Sequence, residues 1–300
     1  MQNGLLYFTS VMIWGSTWLA IKFQLGTVAP EISIAYRVTL AAIILLVYSL
    51  VRKLPLRFSI QEHGYMALQG LFIFSLNYLL VYLAEGFLSS GLVAILFSTI
   101  IFWNVIFGAI FLRSPIRSGV VIGGLIGVIG LAVIFWPEVS GFKLSGNRMT
   151  GLLLAFGGVL SSSLGNIVSA RNQAYKIPVV QSNAFGMAYG GLFTFTYALL
   201  RSAEFTFDPS PEYILSMLYL ALFGSVIAFG AYLTLLGRIG PDRAAYVTVL
   251  FPIVALLLST LFEGLTWGWS GVLGVLFVVV GNVIALNRFR RQKISPQPAK

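Results

Sequence analysis

Cysteine is absent from this sequence of 300 residues, and histidine occurs only once. Without cysteine the chain cannot form a disulfide or a thiolate metal site. The single histidine, His63, lies in a polar connection and has no second imidazole to join it in a metal site. The sequence also lacks the His-Glu-x-x-His pattern of helical zinc hydrolases. We therefore expect no metal, no cofactor and no enzymatic activity.

Charged residues are scarce as well. They make up 9% of the chain, hydrophobic residues make up 58%, and the mean hydropathy is +0.92. Soluble domains have about 25% charged and about 45–50% apolar residues. A soluble fold could not hide this much apolar surface, since a large part of any folded chain still reaches water. The composition predicts a polytopic membrane protein.

Long apolar runs occur ten times along the sequence. A transmembrane helix takes about 20 mostly apolar residues, so we predict an all-α polytopic membrane protein with ten transmembrane helices. The first run has no basic segment before it and no small-residue cleavage site, so we expect a retained helix and not a signal peptide. The predicted helices lie near residues 5–22, 32–51, 65–84, 91–112, 119–136, 150–170, 183–200, 213–236, 244–262 and 268–287.

A polar stretch near the midpoint separates two sets of five apolar runs. The second set overlays weakly on the first at a shift of 149–150 residues, which places Tyr82-Leu83 over Tyr232-Leu233 and Ala94 over Ala244. Because five is odd, the two halves have to insert in opposite senses, which is typical of secondary transporters. We predict a first five-helix repeat at 1–136, an extracytoplasmic connecting loop at 137–149, a second five-helix repeat at 150–287 and a basic, disordered cytoplasmic tail at 288–300.

The basic residues are distributed unevenly between the connections. With both termini in the cytoplasm, most of the 19 lysines and arginines fall in cytoplasmic connections or in the tail, as the positive-inside rule requires. The net charge of +10 is therefore a topology signal and does not indicate nucleic-acid binding. A small-molecule substrate and membrane lipid are the expected partners, and we expect a monomer in a bacterial inner membrane. The exceptions are Lys22, Lys143, Arg148 and Arg201, which fall outside, and Arg37, which falls within a helix.

Polar side chains inside the predicted helices indicate the site, because an unpaired polar group is costly in lipid. At helical spacing, Ser75, Tyr78, Tyr82 and Glu85 share one face of the third helix. With polar and aromatic residues of other helices they would line a cavity carrying almost no fixed charge, which suits a small zwitterion or amphipathic metabolite. The candidate substrate-binding residues are Trp14, Thr17, Trp18, Asn77, Tyr78, Tyr82, Ser98, Thr99, Trp103, Ser163, Asn166 and Tyr246.

Each of these residues also has a plainer interpretation. Tyrosine and tryptophan often anchor a helix at the membrane interface, and serine or threonine often bonds only its own helix backbone. Arg37 is either a partner for a carboxylate or a side chain that extends to the outer interface, and we expect the second. Glu85 and Glu263 fall at predicted helix ends, where we expect loop charges.

Three short motifs resemble those of a known family. Trp14-Gly15-Ser16 followed by Lys22, Arg37 in the second helix, and Glu263-x-Leu265-Thr266 after the ninth resemble the drug/metabolite transporter superfamily, EamA type. One departure is Arg113-Ser114, where the first repeat often has a glutamate. The resemblance covers the full length and is greatest to YddG-type amino acid exporters of bacterial inner membranes.

The resemblance implies export of aromatic and other neutral amino acids and related small metabolites, by alternating access through a central cavity between two repeats. Two alternatives within the superfamily stay open. A sugar-phosphate or nucleotide-sugar carrier would need two or more bases in the cavity, and a multidrug or polyamine carrier would need acidic residues deep in the span. A scaffold or receptor would not need polar stripes on several helices.

Overall fold

The structure is a computed structural model that describes residues 2–24, 26–88, 90–142, 146–263 and 268–287. A few side chains within these ranges, those of Trp18, Lys22 and Glu263 among them, lie outside the description. Two sequence predictions therefore fall outside it as well. They are the disordered tail at 288–300 and most of the Glu263-x-Leu265-Thr266 motif.

The described chain is helical and contains no strand, as predicted. Its ten long helical segments coincide with the ten apolar runs, and a short helix at Trp136–Ser140 follows the fifth. We number the segments α1 (Gln2–Lys22), α2 (Pro30–Val51), α3 (Ile60–Glu85), α4 (Ser90–Ser98 continued by Ile100–Leu112), α5 (Ser118–Ile134), α6 (Gly146–Ala174), α7 (Val179–Leu200), α8 (Pro211–Ile239), α9 (Pro241–Ala244 continued by Val247–Glu263) and α10 (Trp269–Asn287).

Helix length and composition agree with a membrane location. Among the described residues, seven helices are at least 18 residues long and apolar enough to cross a bilayer, namely those of α1 to α4, α6, α8 and α9. The apolar parts of α5 and α10, Ser118–Ile134 and Trp269–Ala285, are shorter. The chain is therefore a helical membrane protein.

The structure differs from the predicted boundaries mainly around the midpoint. α6 begins at Gly146 and continues to Ala174, so part of the connection predicted as a loop at 137–149 is helical. α9 begins at Pro241, three residues before its predicted start at 244. Apolar periodicity could not place these ends, because the extra turns are polar and lie beyond the apolar core of each run.

α1 and α8 pack antiparallel, which defines two faces of the bundle. Trp14 Nε1 donates to Gly224 O at 3.2 Å and Gln24 Nε2 donates to Tyr213 O at 2.9 Å, so α1 and α8 run in opposite directions. Arg238 Nη1 lies 3.3 Å from Gln2 Oε1, which puts the end of α8 beside the start of α1. We call this end of the bundle, where α1 begins and α10 ends, the termini face.

π-Helical segments occur at matching places in the two halves. Gly70–Leu76 is a π-helix inside α3, and Leu220–Ile227 is a π-helix inside α8, so the two start 150 residues apart. Both helices also begin after a serine whose hydroxyl accepts a hydrogen bond from a first-turn backbone N–H, Ser59 for α3 and Ser210 for α8. π-Helical segments change the phase of a helix and often occur at functional sites.

Glycines allow α5 and α10 to touch backbone to backbone. A Cβ added to Gly281 would lie 2.5 Å from Gly123 O, and one added to Gly274 would lie 2.5 Å from Gly130 O. The contacts are reciprocal, because a Cβ on Gly130 would in turn lie 2.7 Å from Gly274 O. Small residues bring transmembrane helices close enough for dispersion forces to hold them.

Substituting Gly281 by alanine is expected to destabilise the fold. The added Cβ would lie 2.5 Å from a backbone oxygen, so the helices have to move apart; overpacking of this kind typically costs about 1–3 kcal/mol. Thermal unfolding of the purified protein in detergent should occur several degrees lower.

The matched control is Gly230→Ala in α8, where a Cβ would meet no atom within 4 Å. Alanine favours a helix over glycine by about 1 kcal/mol, so this variant should unfold at an unchanged or higher temperature. Equal effects of the two substitutions would contradict the close α5–α10 contact.

Candidate functional site

A large cavity lies inside the bundle, between helices of both halves. With its open mouth it holds about 1000 Å³ of empty space. We call it the central cavity. Its lining residues are Trp14, Thr17, Ile21, Arg37, Asn77, Tyr78, Val81, Tyr82, Glu85, Val93, Ala94, Phe97, Ile100, Ser162, Asn166, Phe229, Tyr232, Thr248 and Phe251.

The central cavity extends away from the termini face. Its lining positions on α1 and α3 lie in the last turns of those helices, and those on α4 lie in the first turns. These helix ends all lie opposite the termini face. We call that side the mouth face, because the cavity approaches the surface there.

Six of the twelve predicted residues lie together in the cavity wall. Trp14 is fixed there by its bond to Gly224 O and by ring contacts with Phe229 and Tyr232, at centroid distances of 4.9 and 5.0 Å. Asn77 is held by a hydrogen bond from Nδ2 to Gly158 O of 2.9 Å. The six are Trp14, Thr17, Asn77, Tyr78, Tyr82 and Asn166, and their role in substrate binding stays a prediction.

Five predicted residues lie away from the cavity wall. The hydroxyls of Ser98 and Thr99 bond carbonyls of their own helix, at 2.6 Å each, where α4 is interrupted. Trp103 packs against Phe107 and Phe156. The two others are Ser163 and Tyr246, which bond Asn104 and the Val120 carbonyl. The side chain of Trp18 lies outside the described part of the chain.

The expectation that Arg37 extends to the outer interface is wrong. Its side chain is only 6% exposed and lines the central cavity. Nε donates to Ser225 Oγ at 3.0 Å, and the guanidinium carbon lies 5.1 Å from the centre of the Tyr78 ring. Ser225 belongs to the π-helical segment of α8, which presents it toward α2. Arg37 is thus held inside the bundle by contacts with both halves.

The expectation of a cavity almost free of fixed charge is also wrong. Arg37 contributes one positive charge, and Glu85, the last residue of α3, contributes a carboxyl group to the wall near the mouth. The sequence predicts a loop charge at Glu85, because this residue falls at a helix end. The wall therefore combines one basic and one acidic side chain with amides, hydroxyls and aromatic rings.

A hydrogen-bonded layer closes the cavity toward the termini face. Asn166 Nδ2 donates to the Tyr232 hydroxyl at 3.0 Å, and Ser163 Oγ donates to Asn104 Oδ1 at 2.7 Å. Asn104 Nδ2 in turn donates to Pro241 O at 2.9 Å. All four polar side chains are buried. We call Asn104, Ser163, Asn166 and Tyr232 the polar floor.

An ion pair lies beyond the polar floor, at the termini face. Arg117 Nη1 is 2.8 Å from Asp242 Oδ2 and 3.1 Å from Oδ1, and it joins the start of α5 to the start of α9. Gly240 places Asp242 there, because its φ of +94° is one that residues with a Cβ rarely adopt. A Cβ on Gly240 would lie 2.6 Å from Asp242 Oδ1. The polar floor and this pair both bridge the two halves.

Sequence reasoning did not select the apolar part of the wall. Phe97, Phe229 and Phe251 line the cavity, but a phenylalanine in an apolar helix carries no signal that separates it from packing. Tyr232 did carry a signal, since it overlays on Tyr82 at a shift of 150 residues. The repeat therefore indicates Tyr232 as a lining residue, and the structure places it in the wall.

Comparison with known proteins identifies the family. The EamA-like transporter family matches residues 3–136 and again residues 149–287. The chain belongs to the EamA-like transporter family. This membership confirms the resemblance to the drug/metabolite transporter superfamily, and it makes the chain a membrane transporter.

Named relatives of this EamA-like transporter are bacterial. The inner membrane transporter YedA of Escherichia coli K12 is 30% identical, over 94% of this chain and 90% of its own length. A protein of the same organism named "Probable amino-acid metabolite efflux pump" is 24% identical, over 97% of both chains. A solved crystal structure with 20% identity has the same fold, with a TM-score of 0.81 over 96% of this chain and 98% of that one.

Proposed function

We propose that this EamA-like transporter exports neutral amino acids, aromatic ones included, and related small metabolites. The main support for this proposal is the composition of the wall of the central cavity, which combines Arg37 and Glu85 with amides, hydroxyls and aromatic rings. An amino acid is a zwitterion with a side chain, so one base, one acid and an aromatic surface match its parts. The name of the efflux-pump relative supports the same substrate class.

We further propose that the ten helices all cross the membrane as two inverted five-helix repeats. The two matches to the family, the π-helical segments 150 residues apart and the reciprocal glycine contacts of α5 and α10 support this arrangement. The repeats would comprise residues 1–136 and 150–287. The short helix Trp136–Ser140 would belong to the connection between them.

The proposed orientation places the termini face in the cytoplasm of a bacterial cell, at its inner membrane. Described basic residues at the ends of helices on this face include Lys53, Arg117, Lys176 and Arg238, in agreement with the positive-inside rule. The central cavity then opens outward. The name of the transporter YedA supports the inner membrane.

Transport would proceed by alternating access of the cavity to the two faces. In the described state the polar floor and the Arg117–Asp242 pair lie between the cavity and the termini face, which is the cytoplasmic face in this proposal. A substrate can enter from the cytoplasm only if these contacts, which bridge the two halves, open. Their loss has to be offset by contacts that form at the mouth face or with the substrate.

The alternatives within the superfamily fit the wall less well. A sugar phosphate or nucleotide sugar carries at least two negative charges and would need more bases than Arg37. A polyamine would need several acids, whereas Glu85 is the acid that the described cavity wall supplies. Arg37 would repel such a polycation.

Transport of a labelled amino acid panel into proteoliposomes tests the proposal. Saturable uptake of several neutral amino acids is expected. Measuring this uptake with and without a proton gradient shows whether transport is coupled to protons. Tyr78→Ala should reduce the uptake, because the ring lies in the wall against Arg37.

Tyr48→Ala serves as the control, since Tyr48 is 48% exposed on α2 and outside the cavity. Uptake of a sugar phosphate or a polyamine, with none of any amino acid, would leave the family assignment intact and overturn the substrate.

A further inference from the structure

We infer that Arg37 is the carboxylate-binding residue of the central cavity and makes the transporter select free α-carboxylates over their amides. The inference rests on the proposed function and goes further, because it names the substrate group and the side chain that recognises it. From the sequence alone, binding of a carboxylate is the less expected of the two interpretations of Arg37.

Burial makes the guanidinium of Arg37 unusual. A charged side chain inside a membrane protein is costly unless it is paired or functional. The ion pair between Arg117 and Asp242 lies at the termini face. Arg37 is 6% exposed, and no carboxylate of the described residues lies within ion-pair distance of it. A substrate carboxylate would supply that missing partner.

The geometry around Arg37 positions the guanidinium without neutralising it. Nε bonds the neutral hydroxyl of Ser225, and the face of the group lies against the Tyr78 ring. The two Nη groups, which form the paired bonds to a carboxylate in proteins, are not used by the Ser225 bond, and the other hydrogen-bond partner of the guanidinium is the neutral hydroxyl of Tyr82. Gly224 gives one of them room, since a Cβ at that position would lie 3.1 Å from Nη2. The arrangement is that of a preformed anion site.

The surroundings favour a single negative charge. Only one base lines the described wall, and Glu85 would repel a dianion such as a phosphate monoester. Glu85 also offers a partner for the ammonium group of the same substrate. An α-amino acid therefore satisfies both charges, whereas its amide or its decarboxylated amine leaves Arg37 unpaired.

Selectivity between an acid and its amide tests the inference. Uptake of labelled L-phenylalanine into proteoliposomes is measured with unlabelled L-phenylalanine or L-phenylalaninamide as competitor, for the wild type, Arg37→Gln and Arg37→Lys. The wild type should prefer the acid. In Arg37→Gln the preference should fall at least about tenfold, through a higher KM for the acid, because a charge-assisted hydrogen bond is lost. Arg37→Lys should keep part of the preference, since it keeps the charge.

Arg201→Gln is the matched control, because Arg201 is exposed beyond α7 on the mouth face. It should leave the preference unchanged. Equal competition by acid and amide in the wild type would overturn the inference while the proposed function stands. An equal loss of both ligands in Arg37→Gln and Arg37→Lys, with normal thermal unfolding, would show a structural role and overturn it too. A wild type that transports no amino acid would overturn the proposed function itself.

Discussion

Cross-linking residue 117 to residue 242 is expected to abolish transport. In the described state Arg117 and Asp242 bridge the two halves at the termini face, with 2.8 Å between Nη1 and Oδ2. If the cavity reaches the cytoplasm only when this face opens, a covalent link there holds the carrier open to the mouth face. The chain has no natural cysteine, so the double variant Arg117→Cys/Asp242→Cys carries the only two thiols.

The link needs a reagent that spans the length of the arginine side chain, so we would use a short bifunctional methanethiosulfonate. Uptake should fall by more than about tenfold after treatment and return after reduction. The two single-cysteine variants, treated in the same way, control for the loss of the ion pair and for modification of each thiol. Unchanged uptake by fully cross-linked protein would contradict opening at this face.

Filling the central cavity with an indole is expected to have a comparably large effect. Ala94 lies in the wall at the start of α4 and borders the empty space of the cavity. Ala94→Trp should lower the rate of transport by more than about tenfold and leave the thermal unfolding temperature nearly unchanged. The reason is steric, because the indole occupies the volume that a substrate side chain needs.

Ile110→Trp is the matched control on the same helix. Ile110 is 63% exposed on the outer surface of the bundle and does not line the cavity. Transport by this variant should stay close to that of the wild type. A fully active Ala94→Trp protein would exclude the central cavity as the path.

Much of the fold could be predicted from the sequence, because hydrophobicity alone places helices in a membrane protein. The ten apolar runs coincide with α1 to α10. The helix ends were harder, since capping groups such as Ser59 with Glu62 lie in polar segments that carry no apolar period. The polar turns that extend α6 to Gly146 at one end and to Ala174 at the other could not be predicted for the same reason.

Helical spacing predicted the residues of the site only in part. Asn166 and Tyr78 lie in the wall as their spacing indicates, but Ser163, one residue from the lining Ser162, turns toward Asn104 instead. Ser98 and Thr99, at the interruption of α4, bond carbonyls of their own helix and do not line the cavity.

The prediction that Arg37 extends to the outer interface is wrong because the position of a residue along its helix does not show which side chains of other helices surround it. Its partner Ser225 reaches it from the other half of the chain, through a π-helical segment. Local periodicity contains no information on a contact between residues 188 positions apart.

The most direct test of the account is the accessibility of one cavity position from each side of the membrane. Ala94→Cys gives a single thiol in the wall, since the natural chain has none. In oriented vesicles without substrate, a membrane-impermeant thiol reagent should label it from the mouth face. Addition of a transported neutral amino acid should make it react from the termini face as well. Labelling from the mouth face alone, whatever amino acid is present, would contradict alternating access through this cavity.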